Sequence, residues 1–212
     1  MAADDADPPR RRRLTTGRLE AFSDGVFAIA VTLLILDVAV PAGSGSDLLG
    51  AVGDQWPTYL AYLVSFSTIG AVWLAHSVIT EYLDRADAVF VRLNLLLLLL
   101  VSFLPFPTRL LAEYVGDSRA ERVAVTIYGV NLFLASVLVS VLWRYAVREQ
   151  LLRPDAEDDE VQVLTRRLTP GLAGYVVLIA LGLFLPVVAV FGYLVIAVYF
   201  IVPIGKIRRR QS

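Results

Sequence analysis

Arg18-Leu19-Glu20-Ala21-Phe22-Ser23-Asp24-Gly25-Val26-Phe27-Ala28-Ile29-Ala30-Val31-Thr32-Leu33-Leu34-Ile35-Leu36-Asp37 decides how this chain is read. A polar knot, Arg-x-x-x-Phe-Ser-Asp-Gly, stands at the mouth of an apolar run. The stretch as a whole is about the 20 residues that a helix needs to cross a bilayer. Ionisable groups at the edge of a membrane helix are costly unless they are paired, so the knot marks a functional or architectural site.

The composition around this stretch fits a membrane protein. Of 212 residues, 57% are hydrophobic and only 18% are charged, where soluble domains carry roughly a quarter. Mean hydropathy is +0.67. The absence of cysteine excludes disulfides, thiolate metal sites and cysteine nucleophiles. With one histidine, His76, no multi-histidine metal site forms within one protomer. No cofactor and no fixed metal are expected. An intramembrane enzyme would need a nucleophile and base or a metal, and this chain offers little of either.

Six spans are read, at about 19–40, 56–80, 88–110, 121–145, 168–185 and 187–205. Pro41 and a Gly-Ser loop close the first. Pro105 and Pro107 should kink or fray the end of the third. The final apolar stretch is too long for one span, and Pro186 divides it. The resulting organisation is a basic tail over 1–17, a membrane domain over 18–206 and a basic tail over 207–212. The first span reads as retained, because no small-x-small cleavage site follows it. The charged loop 148–167, with its acidic segment 155–160, reads as a solvated turn.

Charge sets the orientation. With both termini cytoplasmic, the inside segments 1–18, 81–92, 144–167 and 206–212 hold 16 of the 19 basic residues, leaving Arg109, Arg119 and Arg122 outside. Five spans would strand Lys206, Arg208, Arg209 and Arg210 outside, against the positive-inside rule. The basic clusters are topological anchors, and nucleic acid is not an expected partner.

Residues three and four apart share a helix face. On the first span one face reads Phe22, Gly25 or Val26, Ile29, Thr32 or Leu33, and Leu36. Ordinary interhelical packing accounts for such a stripe. So does a pore wall, in which apolar rings exclude water and Thr32 adds a ring of hydroxyls. One helix cannot enclose a pore, so that reading carries a symmetric oligomer with it. Arg18 and Asp24 are six apart and do not stack within one turn. Their candidate partners are Trp73, His76 and Ser77 in the second span, and Arg92 and Asn94 in the third. His76 reads either as a hydrogen-bonded core histidine or as a proton site.

Arg18-x-x-x-Phe22-Ser23-Asp24-Gly25, followed by Val-Phe-Ala-Ile-Ala and Thr32-Leu33-Leu34, resembles the endosomal/lysosomal potassium channel family, the transmembrane protein 175 family. The chain looks like a prokaryotic member with a single six-span unit. The resemblance implies an all-α membrane protein, a homotetramer with the first helix lining a central pore, and passive conduction of potassium in moderate preference to sodium. Proton permeation is known in the family. No Thr-Val-Gly-Tyr-Gly filter is present. In the family an apolar residue seven positions after the motif phenylalanine forms the constriction, here Ile29, with Thr32 and Leu36 along the same path. The motif's Arg18, Ser23 and Asp24 are then expected to tie the first helix to Trp73, His76 and Asn94. Potassium, lipid and further copies of the chain are the expected partners, in the cell membrane. The competing readings are a transporter with a midplane site and a non-conducting structural or regulatory membrane protein.

Overall fold

The structure is a computed structural model and describes residues 16–114, 116, 118–168 and 171–202. The basic clusters at 10–13 and 206–210, and the last residues of the sixth expected span, lie outside them. Helix α1 (Thr16–Leu33) tightens into a 3-10 turn over Leu34–Asp37. There follow a short α2 (Leu48–Asp54), α3 (Trp56–Tyr82), α4 (Ala88–Phe103), α5 (Pro105–Tyr114), α6 (Ser118–Arg148), α7 (Asp158–Leu168), α8 (Gly171–Gly182) and α9 (Pro186–Ile201). No strand occurs among the described residues, where the sole pairing is an isolated antiparallel bridge between Leu83 and Leu152.

Local chemistry sets the boundaries. Asp87 starts α4 by accepting from the amides of Val89 (3.1 Å) and Phe90 (2.8 Å), filling the place of the missing helical acceptors. Its other oxygen accepts from the Tyr145 hydroxyl at 2.6 Å, which ties the start of α4 to α6. Asp47 caps α2 through the amide of Gly50 at 3.0 Å. Pro105 and Pro186 each open a helix, because a proline has no amide hydrogen to offer and its fixed φ suits a first turn. The third expected span is therefore two pieces, α4 and α5, broken at Leu104.

Among the described residues four stretches are long and apolar enough to cross a membrane: Thr16–Asp37, Trp56–Tyr82, Ala88–Tyr114 and Arg119–Arg148. Helices α8 and α9 are apolar but shorter. The architecture is thus an all-α, multi-pass membrane bundle. Helix α3 is its centre and packs against α1, α5, α6 and α9, while α6 packs against α4, α5 and α8. Phe90, Leu97, Trp143 and Tyr128 are fully enclosed in the core. A polar cluster also sits there: Ser65 Oγ lies 2.7 Å from Thr108 Oγ1 and 3.0 Å from the Tyr128 hydroxyl.

The loop after α6 differs from its reading as a solvated turn, because α7 forms within it. Asp158, Asp159 and Glu160 lie in its first turn, where carboxylates favour the positive end of the helix dipole. Leu164 is buried and Val161 packs against the core. The Trp143 indole donates to Thr165 Oγ1 at 2.8 Å and the Tyr82 hydroxyl donates to Glu160 Oε2 at 2.7 Å. An amphipathic period of about 3.6 within a highly charged segment is the signal for it.

Gly129 is required by close packing. A Cβ there would overlap the Tyr193 hydroxyl and lie 2.9 Å from Ile179 Cγ1. The Tyr193 hydroxyl is buried and has no hydrogen-bond partner among the described residues. Gly129→Ala is expected to destabilise the protein by about 1–3 kcal/mol through overpacking, seen as a lower thermal midpoint in detergent. Adding Tyr193→Phe should recover part of that loss, since the phenol oxygen is the nearest obstruction and makes no bond.

Candidate functional site along the first helix

Helix α1 has two faces. Leu19, Ser23, Phe27 and Ala30 are buried against α3 and α4, and Leu34 continues that side into the 3-10 turn. The opposite side carries Phe22, Gly25, Ile29, Thr32, Leu33 and Leu36, all exposed in the single chain. Phe22 is 56% exposed, Ile29 61% and Leu36 72%. Gly25 faces open space, with nothing within 4 Å of where its Cβ would be. The Thr32 hydroxyl donates to the carbonyl of Ile29 at 2.9 Å. Its single proton is thereby used, and its oxygen keeps only lone pairs for whatever stands before it.

The buried face is pinned by a chain of polar bonds through three helices. Ser23 Oγ donates to the carbonyl of Leu19 at 2.8 Å. Asn94 Nδ2, on α4, donates to Ser23 Oγ at 2.9 Å. His76 Nε2, on α3, lies 2.8 Å from Asn94 Oδ1. Ser23 and Asn94 are completely buried, and His76 is 1% exposed. The Phe27 ring lies 5.5 Å from the imidazole, centroid to centroid, and closes the site on one side. Beside this chain, the Trp73 indole donates to Asp24 Oδ1 at 2.9 Å. That second tie between α1 and α3 is more open to the surroundings. Below it runs an apolar groove of about 610 Å³, walled by Phe27, Val31, Phe66 and Ile69 among others.

Of the eight residues named for the motif and its network, the structure brings Ser23, His76 and Asn94 into one chain and Asp24 and Trp73 into a pair. Phe22 and Gly25 lie on the exposed face. Arg18 is also exposed, and among the described residues no side-chain hydrogen bond or ion pair ties it to this network. Two members were not foreseen from sequence. Phe27 falls four residues after Ser23, hence on the same buried face, and the Leu19 carbonyl falls four before it. That spacing was the available signal. Among the described residues no cluster of His, Asp and Glu could hold a metal ion.

The family described as endosomal/lysosomal potassium channel TMEM175 matches residues 18–105, a segment that holds all but the first two residues of α1, together with α3 and α4, and so the whole polar chain. A potassium channel of Chamaesiphon minutus is 44% identical to this chain over 192 residues, covering 87% of this chain and 93% of its own length. The chain belongs to the TMEM175 family. A potassium channel of Streptomyces collinus is 41% identical over 169 residues, covering 79% of this chain and 82% of its own length. The crystal structure of a lysosomal potassium-selective channel TMEM175 homolog from Chamaesiphon minutus superposes with a TM-score of 0.79 at 39% identity, covering 88% of this chain and 96% of that one. TMEM175 proteins are ion channels and not enzymes, which agrees with the poverty of nucleophiles and metal ligands in this member.

Asn94 bonds both Ser23 on α1 and His76 on α3, so Asn94→Leu should be the most costly single change in this chain of bonds. A loss of about 1–2 kcal/mol is expected from interhelical bonds in a membrane. Trp73→Phe removes only the more open bond to Asp24 and should cost less. Thermal unfolding of both variants in the same detergent gives the comparison. Equal losses would show that α1 is not held chiefly through Asn94.

Proposed function

We propose that this protein is a potassium-permeable cation channel of the prokaryotic plasma membrane. It conducts passively, prefers potassium to sodium moderately, and permits protons as a secondary permeant. Four copies surround a central pore, each contributing α1, and each subunit crosses the membrane six times with both termini in the cytoplasm. Ile29 forms the narrowest ring. Thr32 and Leu36 line the same path.

One observation carries this reading. The residues Phe22, Ile29, Thr32 and Leu36 stand exposed in the single chain on one side of a helix whose other side is fixed by buried polar bonds. The Thr32 hydroxyl, its proton committed to the Ile29 carbonyl, presents only acceptor lone pairs on that exposed side. Four such oxygens around an axis would offer a ring of acceptors to a partly dehydrated cation. The apolar ring at Ile29 beside it makes passage depend on shedding water, as hydrophobic constrictions do. The groove between α1 and α3 supports the assembly, since an adjacent subunit's helix fits an apolar trough there better than water does.

The six-span count rests on α8 and α9, which are short for spans. The positive-inside distribution supports it. The polar chain of Ser23, Asn94 and His76, with the Asp24–Trp73 pair, serves as the frame that holds the pore helix and not as the pore wall. Exposed Arg18 at the helix start faces the neighbouring subunit or the inner mouth.

Ile29→Asn should raise potassium flux into liposomes several-fold and reduce the preference over sodium, because it replaces an apolar ring by a polar one. Thr32→Ala should lower the preference without opening the pore. Flux from the Ile29 variant equal to that of the native protein would remove Ile29 from the conduction path.

A further inference from the structure

The trough beside α1 has one polar end and an apolar length. At the polar end Asp24 Oδ1 accepts from the Trp73 indole at 2.9 Å. Among the described residues the second carboxylate oxygen makes no hydrogen bond or ion pair. Asp24 is half-buried and Trp73 exposed, so a group outside the subunit can reach both. From this pair the two walls advance together. Val31 lies seven residues after Asp24, and Phe66 seven before Trp73 on the helix that returns across the membrane. Seven helical residues span about 10 Å. Ala28 and Gly70 keep the middle open, and nothing lies within 4 Å of where a Gly70 Cβ would stand. The volume of about 610 Å³ falls in the range of small-molecule sites, about 300–1,000 Å³.

Helix α9 fixes the depth of the polar end. Ile201, its last residue, lines the trough together with Trp73 and Leu74 of α3. At the opposite end of α9, Val187 and Val190 stand with Pro57 and Ala61 of α3. The two helices therefore run side by side in the same direction, and α9 stops at the level of Trp73. Helix α3 continues to Tyr82, into the end of the bundle where Glu20, Glu81 and Asp84 surround a polar cavity. The Asp24–Trp73 pair thus stands where the apolar part of the bundle meets its charged end. Tryptophan and tyrosine favour that depth in a membrane, and Tyr199 is exposed on the last turn but one of its neighbour α9. One leaflet supplies about half of the ~30 Å hydrocarbon core, so a trough of about 10 Å from this boundary stays within one leaflet.

We propose that this trough binds one phospholipid with a primary ammonium headgroup, a phosphatidylethanolamine of the leaflet at the start of α1. The ammonium donates to Asp24 Oδ2, a charge-assisted bond, and lies against the Trp73 ring, whose face attracts a cation. One acyl chain occupies the trough between Val31 and Phe66. Charge selects the headgroup. An anionic lipid would set its phosphate against the carboxylate with no cation between them, and a choline headgroup has no N–H to donate. The bound lipid braces α1 against α3 by a contact that neither helix supplies. A neighbouring helix across the open side, in the assembly proposed above, would close the trough over the chain. The site requires the bilayer that the long apolar helices call for, and not conduction.

Trp73 is the reporter for the test. Trp56→Phe protein is placed in nanodiscs with rising fractions of phosphatidylethanolamine, phosphatidylcholine or phosphatidylglycerol carrying brominated chains, which quench indole emission on contact. The same protein with Trp73→Phe added gives the background from the enclosed Trp143. Half-quenching should need roughly two- to fivefold less phosphatidylethanolamine than either other lipid, the preference that a partly exposed ion pair supplies. Asp24→Asn keeps an acceptor for the indole but not the charge, and should lose the preference. Gly70→Leu fills open space in the trough, leaves Asp24 in place, and should lose it as well. Quenching by phosphatidylcholine or phosphatidylglycerol as strong as that by phosphatidylethanolamine would overturn the site. So would a Trp73 that none of the three lipids quenches, since the neighbouring subunit would then fill the trough itself. A preference that survives Asp24→Asn would overturn the headgroup contact, and one that survives Gly70→Leu would overturn the seat of the acyl chain. The comparison of the three lipids on the Trp56→Phe protein decides the proposal even where one of these two variants fails to fold.

Discussion

A single hydroxyl proton orders the centre of this protein. Ser23 lies in the interior with no water to turn to, and its proton goes to the carbonyl four residues back on its own helix. Everything attached to it must then point one way: the amide of Asn94 toward Ser23, the oxygen of Asn94 toward His76. In a low-dielectric interior an unmade bond at any of these atoms is far more costly than the bond is favourable. The chain therefore fixes where α1 sits against α3 and α4, and in what rotation. That rotation decides which residues of α1 remain uncovered. The exposed stripe from Phe22 to Leu36 is the geometric complement of the buried set Leu19, Ser23, Phe27 and Ala30.

The remainder of the bundle keeps this frame rigid from outside. Helix α6 runs the length of the molecule and is joined to α4 by Tyr145 and Asp87, and to α7 by Trp143 and Thr165. Helix α3 is held at its far end by Tyr82 and Glu160. These ties sit at the ends of the long helices, where side chains reach water and carboxylates can stay charged. The middle of the bundle relies on hydroxyls and amides, such as Ser65 with Thr108 and Tyr128. The division follows from the solvent on each side: charge at the rims, neutral polar groups within.

Much of this was legible in the sequence, because hydropathy and proline placement act locally. The long apolar helices follow from run length, and the break at Pro105 and the start at Pro186 follow from proline's missing amide hydrogen. The stripe on α1 follows from helical period. Sequence also named Ser23, His76 and Asn94 together, through the resemblance carried by the motif around Ser23. What it could not supply was the pairing itself. Asn94 is 71 residues from Ser23 and 18 from His76, and only the packing of three helices decides which polar atoms meet. The motif arginine illustrates the limit: Arg18 is six residues from Asp24, shares no face with it, and lies apart from the chain its neighbours build. Helix α7 escaped because its charge outweighs its apolar positions, so it reads as a loop until Val161 and Leu164 are seen against the core.

The winding change at the end of α1 has a geometric result. Over Leu34–Asp37 the backbone is a 3-10 helix, with three residues per turn in place of 3.6. Residues three apart then eclipse, so Leu36 stands directly beyond Leu33. In a continued α-helix it would lie about 60° further round, in line with Ile29. The tighter winding also makes these four residues roughly 2 Å longer than an α-helical segment of the same length. The outer end of the helix therefore behaves as a screw thread with two pitches. Rewinding four residues would turn Leu36 and retract it in one motion, while Ser23, two turns and more below, stays fixed to Asn94.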